Sequence, residues 1–322
     1  MPTVTLEAKR LTKRYGARAA VDGLSFVAHQ GNVVGLLGPN GAGKTTTIRL
    51  LSTMLTPSTG EFSVAGVPSN RPAEIRRRIG VLPESAGYPA NQTGREYLRY
   101  HARLFGLTRA EAERVATRLL AEVGLDGRTE SRIASYSRGM RQRLGIARAL
   151  INDPAVVFLD EPTLGLDPAG QRRVLGTVRT IAERGATVVL STHTLPEVEE
   201  ICTSVLILDR GRVVAASSVG DVTAAAVARR TARLRVPAVC VGQVREALAG
   251  LAGLRLDAVD DDAGALRVSL GADSDGSCDG IPTELNDALR AVLRMDVPVL
   301  SFEVDGARLS DAFLTMTREG AR

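Results

Sequence analysis

Unbroken apolar runs of strand length recur along the chain up to about residue 216. They fall at Val33–Leu37, Ala155–Leu159, Thr187–Leu190 and Val205–Leu208, and are rich in β-branched residues. Runs without polar alternation predict strands covered on both faces, as in a parallel sheet flanked by helices. Helical patterns separate them. Lys44–Leu55 follows the first run, and Asp167 with Pro168 reads as the N-cap and first residue of a helix running toward Arg184. A helix-rich stretch is inserted at about residues 90–152. There Thr108 and Glu111 form a capping box, and Val115, Leu119 and Val123 repeat at helical spacing. The pattern predicts an α/β core with an inserted helical subdomain.

The pattern changes after Ala216. Ala232, Leu234 and Val236 alternate like a strand, and Val244, Leu248 and Leu251 share one helical face. Leu254–Val259 and Leu266–Leu270 alternate again around a turn containing Asp260, Asp261, Asp262 and Gly264. Leu285, Leu289, Val292 and Leu293 predict a second helix, Val297–Val304 a last strand, and Leu309, Phe313 and Met316 a final helix. The order βαββαβ predicts a small ferredoxin-like α+β domain. The expected division is 1–218 and 219–322.

Composition narrows the classes. Of 322 residues, 44% are hydrophobic and 24% charged, which argues against disorder and fibrous folds. No apolar run reaches the roughly 18 to 20 residues of a membrane span, and Glu7, Lys9, Arg10, Lys13 and Arg14 interrupt any signal-peptide core. A soluble, cytoplasmic protein is expected. Cys202, Cys240 and Cys278 are scattered and suggest neither a disulfide framework nor a metal site. The net charge of +5 is uneven: Asp221 to Arg322 holds 12 Arg against 16 Asp and Glu, or −4, which leaves +9 for Met1 to Gly220. A basic front part suits an anionic partner, or is simply an Arg-rich solvated surface. With aromatics at 3% and no Trp, no nucleic-acid partner is expected.

Two motifs carry chemistry. Gly38-Pro39-Asn40-Gly41-Ala42-Gly43-Lys44-Thr45, followed by Thr46, fits G-x-x-x-x-G-K-[ST] between a strand and a helix. Such glycines let backbone N–H groups curl around phosphates, and the helix N-terminus points at them. Lys44 would reach the β- and γ-phosphates, and the Thr45 hydroxyl would bind Mg²⁺. The second motif is the strand Val156–Leu159 ending in Asp160 and Glu161. Asp160 would hold Mg²⁺ through water, and Glu161 would polarise the attacking water.

Through these motifs, residues Leu6 to Ala216 resemble the ATP-binding subunits of ABC transporters. The family's other motifs follow in its order. Tyr15 stands at the adenine-stacking position, although a lone Tyr also serves to pack on a sheet. Glu84 occupies the Q-loop position, Tyr136 to Arg143 the signature, Gly165-Leu166-Asp167-Pro168 the D-loop and Ser191-Thr192-His193 the H-loop. The resemblance implies that Ser137, Gly139 and Asp167 touch nucleotide, that Glu84 joins Thr45 and Asp160 as a metal ligand, and that His193 orients the water of Glu161. Four departures stand out. Tyr136, Arg138 and Met140 replace Leu, Gly and Gln of the usual Leu-Ser-Gly-Gly-Gln, and Glu84 replaces the Q-loop Gln. Such departures resemble those of ABC-2 type exporters of drugs, antibiotics and lipids, in which ATP with Mg²⁺ drives a head-to-tail homodimer at the cytoplasmic face of the membrane, against a separate multi-span permease. The alternatives are an ABC importer ATPase and a soluble ABC ATPase of DNA repair or translation.

Overall fold

Five parallel strands form the centre of the first half of the molecule: β3 (Val33–Leu37), β6 (Ile79–Leu82), β7 (Val156–Asp160), β8 (Thr187–Ser191) and β9 (Ser204–Asp209). The computed structural model describes residues 3–218, 231–251, 253–270 and 283–305. The order across this sheet is β10-β9-β3-β8-β7-β6, with β10 (Arg212–Ser218) added antiparallel at the edge. Every residue of β3, β7 and β8 is buried, as expected for strands covered on both faces. A second, antiparallel sheet has the order β2-β1-β4-β5, from Arg18–His29, Val4–Tyr15, Thr59–Val64 and Val67–Pro68. It is absent from the sequence reading. Leu6, Ala8 and Leu11 of β1 are buried, but bulges shift its register and Arg10 takes a φ of 47°, which breaks the two-residue period.

Helix ends follow local chemistry. α1 (Lys44–Leu51) stops four residues before the predicted Leu55. Thr53 adopts a φ of 62°, its N–H bonds to Leu50 O, and that of Met54 to Arg49 O, a Schellman closure made without glycine. α2 is Pro72–Arg76. α3 (Gly94–Leu104) and α4 (Arg109–Glu122) each begin with a capping box, Thr93 with Glu96 and Thr108 with Glu111. With α5 (Arg138–Ala149) they enclose a helical core around Leu98, Leu119, Leu120, Ile133 and Leu144. α6 (Pro168–Glu183) starts where Asp167 Oδ1 accepts from Gly170 N at 3.3 Å, and α7 (Leu195–Ile201) follows β8.

The chain divides into two compact units, Met1–Val219 and Gly220–Arg322. The second contains β11 (Thr231–Arg235), α8 (Val241–Ala249), β12 (Leu254–Asp260), β13 (Ala265–Leu270), α9 (Thr283–Arg294) and β14 (Ser301–Asp305). Its antiparallel sheet has the order β12-β13-β11-β14, the ferredoxin-like arrangement. Ala232, Leu234, Leu266 and Val268 meet Val244, Leu248, Leu285 and Val292 of the helices in one core. The last strand begins at Ser301 rather than Val297, after a segment containing Pro298 that carries no strand hydrogen-bond pattern. The helix expected through Leu309, Phe313 and Met316 lies outside the described residues. No helix among the described residues is long and apolar enough to cross a membrane.

The end of α5 packs closely against the sheet. A Cβ on Gly80, in β6, would collide with the carbonyl oxygen of Ala149, at the end of α5. Gly80→Ala must push that helix off the strand. A loss of about 1–3 kcal/mol is expected, as for other overpacked cores. A lowered midpoint in urea unfolding, with the slope unchanged, is the outcome to look for.

Candidate functional site

β8 lies between β3 and β7, so the loops after all three strands open on one edge of the sheet. In open α/β sheets that carboxyl edge is where ligands bind. The loop after β3 curls into α1, whose N-cap Gly43 has a φ of 108°. A Cβ there would also stand 2.5 Å from Ala20 O, so only glycine fits. Ala42 N bonds to Pro39 O at 3.1 Å and Gly211 N to Ala42 O at 3.0 Å, holding the loop to β10's turn. The cavity against this loop, about 550 Å³, is lined by Tyr15, Arg18, Ala20, Asn40 to Thr46, Glu84 and Glu161.

Lys44 is 6% exposed, and its Nζ donates to Gly38 O at 2.7 Å and Pro39 O at 3.3 Å. It stands 4.0 Å from Glu161 Oε1. Thr45 Oγ1 lies 3.2 Å from Asp160 Oδ1. Ser191, the last residue of β8, donates to that same Oδ1 at 2.6 Å, and its Oγ accepts the Glu161 N–H at 2.9 Å. Glu161 leaves β7 with a φ of 48°. A non-glycine residue pays about 1–3 kcal/mol for such a backbone, which here is tied to a buried hydroxyl. His193 Nδ1 pairs with Glu161 Oε2 at 2.9 Å, the His ring half exposed and the carboxylate buried.

Lys44, Thr45, Asp160, Glu161 and His193 thus meet at one place, with Glu84 and Tyr15 on the cavity wall. Tyr15 is 53% exposed, with Lys13 Nζ 5.4 Å above its ring. Gly38 and Pro39 contribute the carbonyls that hold Lys44. Ser137, Gly139 and Asp167 lie elsewhere, around a separate cavity of about 190 Å³ shared with Arg138, Arg143 and Arg173. Ser137 is exposed, and its Oγ accepts from Met140 N at 3.2 Å, leaving the hydroxyl proton free to donate outward. The Arg138 guanidinium covers the Gly165 backbone, its Cζ 2.7 Å from where a Cβ would stand. Tyr136 belongs to the helical core: it is 3% exposed, its hydroxyl donates to Arg128 O at 2.8 Å, and burial raises its pKa.

Sequence reasoning missed Ser191 and Arg18. Ser191 was only the first letter of a short motif, and its part depends on β8 lying beside β7. Nothing in the pattern around Arg18 singles it out.

The fold and this edge define a P-loop nucleotide-binding cassette. The ABC transporter family model matches residues 21–164. Nod factor export ATP-binding protein I of Rhizobium meliloti (strain 1021) is 41% identical over 215 residues, 66% of this chain and 64% of that protein. Its counterpart in Paraburkholderia xenovorans (strain LB400) is 39% identical over 67% of this chain and 71% of the relative. The linearmycin resistance ATP-binding protein of Bacillus subtilis (strain 168) is 36% identical over 67% of this chain and 70% of its own. A solved ATP-binding subunit of an ABC transporter superposes with a TM-score of 0.61 at 36% identity, covering 68% of this chain and 91% of that one. A cassette dimer solved with ADP and phosphate shares the fold at a TM-score of 0.61 and 23% identity. The chain belongs to the ABC transporter ATP-binding family. It spans 64% of the length of the Rhizobium relative, under two thirds.

Ser191→Ala removes a donor from Asp160 and leaves the Glu161 N–H without its acceptor. If Asp160 holds a cation, the Mg²⁺ concentration for half-maximal ATPase activity should rise by roughly tenfold, the scale for losing a supporting hydrogen bond at a metal site. An unchanged Mg²⁺ titration in the folded variant would remove Ser191 from this role.

Proposed function

We propose that the chain is the ATP-hydrolysing subunit of an ABC-2 type export system, acting at the cytoplasmic face of the membrane against a separate multi-span permease. The observation that carries the reading is the meeting of Lys44, Thr45, Asp160, Glu161 and His193 at the ends of three adjacent buried strands. The relatives named for Nod factor export and linearmycin resistance favour export over import or repair, and a drug, antibiotic or lipid-like cargo.

The roles follow from the chemistry of each position. The backbone N–H groups from Asn40 to Thr46 and the N-terminus of α1 would hold the triphosphate, and Lys44 would exchange its two carbonyl partners for phosphate oxygens. Tyr15 and Arg18 flank the cavity mouth, where Tyr15 would stack on the adenine. Thr45 and Asp160 offer hard oxygen donors 3.2 Å apart, a set that fits Mg²⁺, with Glu84 on the wall as a further oxygen. Mg²⁺ bound there would neutralise charge building on the phosphates. Glu161 would take a proton from the attacking water, while His193 holds the carboxylate in place through Oε2.

Ser137, Gly139 and Asp167 stand apart from the Lys44 site among the described residues of their own chain. In a head-to-tail homodimer they would close over the partner's ATP, with Arg138 adding positive charge beside it. Binding would then close the pair and hydrolysis reopen it, a conformational stroke delivered to the permease.

Two experiments test this. Glu161→Gln should keep ATP binding, trap the dimer and lose roughly 10²- to 10⁴-fold in turnover, as for loss of a general base; near-normal steady-state ATPase would refute the assignment. For the dimer, Ser137→Arg should lose on the order of 10²-fold, as when one charge-stabilising donor is removed, with monomer nucleotide affinity little changed. Mixing Ser137→Arg chains with Lys44→Ala chains puts both defects in one composite site and leaves the other intact. Activity of the mixture above either homodimer supports action in trans, and full activity of Ser137→Arg alone sinks it.

A further inference from the structure

Behind the pair of His193 and Glu161 lies a second, buried carboxylate that the reaction does not call for. Glu197, in α7, is 4% exposed. Its Oε2 accepts two hydroxyl hydrogen bonds, from Thr163 Oγ1 at 2.8 Å and Thr192 Oγ1 at 2.9 Å. Both threonines are buried. Thr163 comes two residues after Glu161, and Thr192 immediately precedes His193. Thr192 Oγ1 also accepts the Thr194 N–H at 3.0 Å, which directs its own proton toward Glu197. Thr192 N bonds to Leu36 O at 3.2 Å, so the junction is anchored to β3, the strand that leads into the phosphate loop.

We propose that Glu197 is a positioning residue: one carboxylate oxygen clasps the segment carrying Glu161 to the segment carrying His193 and keeps the two in register. The inference rests on the roles assigned above to Glu161 and His193. The contact between those two cannot do this alone. Its imidazole is 53% exposed, and a contact open to solvent on one side competes with water and screening salt. The two threonine bonds are made away from solvent, where a hydrogen bond to a charged acceptor is stronger.

Stability by itself does not account for a carboxylate at this position. Oε1 of Glu197 is buried without a hydrogen-bond partner among the described residues. Its negative charge acts on the neighbouring Cys202 thiol, whose pKa is pushed up to about 12 by burial and by Glu197. A buried charge with two neutral donors and an empty oxygen is costly, and an apolar residue of similar volume is often equal or better for the fold. What such a residue cannot do is accept two hydroxyls on one atom. A Gln side chain can, through its carboxamide oxygen.

The test is steady-state ATPase on the full chain, with Glu197→Leu, Glu197→Gln, Thr163→Val and Thr192→Val compared for kcat, KM for ATP, affinity for a fluorescent ATP analogue and thermal midpoint. Glu197→Leu should lower kcat on the order of tenfold, the scale for removing an outer hydrogen-bonding partner, with KM and nucleotide affinity nearly unchanged. Glu197→Gln should recover most of that loss. Each valine variant, close to threonine in shape, should lower kcat by a smaller factor and keep the claim testable if the leucine variant does not fold. Combined with Glu197→Leu, Thr163→Val should add no further loss, because the bond it removes is already gone. Undiminished kcat in folded Glu197→Leu or in both valine variants overturns the proposal. So does a Gln variant as slow as the Leu variant, or a parallel loss of kcat, affinity and thermal midpoint. Glu161→Gln run alongside separates the two levels: its activity would refute the underlying roles, whereas an inactive Glu161→Gln beside a fully active Glu197→Leu refutes the clasp alone.

Discussion

β3, β8 and β7 are buried along their whole length, and their backbones can meet polar chemistry only where they end. Because β8 runs between the other two, Ser191 at its end is within reach of both Asp160 and Glu161. That hydroxyl gives its proton to one residue and receives an N–H from the other, which ties the strained turn at Glu161 to the sheet. The phosphate loop reaches the same edge through Thr45 and Lys44. Remove the strand order, and the same residues are several separate loops.

The helical insertion depends on the same sheet through the packing of α5 on β6. α5 begins beside Ser137 and ends against Gly80 of β6, the strand that leads toward Glu84. The departures from the usual signature separate by location. Tyr136 faces inward and fills the helical core, so its replacement of Leu is a matter of packing with a satisfied hydroxyl. Arg138 faces outward and covers Gly165, so its replacement of glycine alters the surface that Ser137 and Asp167 present. An arginine at the start of a helix is unfavourable toward the helix dipole, and α5 has no acidic residue in its first turn to offset it. Such a concentration of positive charge suits an anion more than it suits the fold.

The second unit has a core of its own and no comparable gathering of reactive side chains among its described residues. Its strands alternate, with Ala232 and Leu234 inward and Arg233 and Arg235 outward, so one face of the sheet carries the helices. That alternation is what makes its βαββαβ order readable from the chain, in contrast to the bulged β1.

Local signals reached a long way into this protein. The phosphate loop, the carboxylates ending β7, the cap of Asp167 on α6 and the box at Thr108 need only residues close in sequence, so spacing was enough to find them. α1 ran shorter than its pattern because Thr53 took a left-handed conformation that its side chain does not advertise. The N-terminal sheet went unseen because bulges break the alternation on which strand reading relies. The partnerships of Ser191, Thr163 and Glu197 follow no local spacing: 34 residues separate Thr163 from Glu197, and 31 separate Asp160 from Ser191. Their bonds exist only because parallel strands pair in a nonlocal order, and hydrophobic periodicity reports which residues are inside without saying which strand lies beside which.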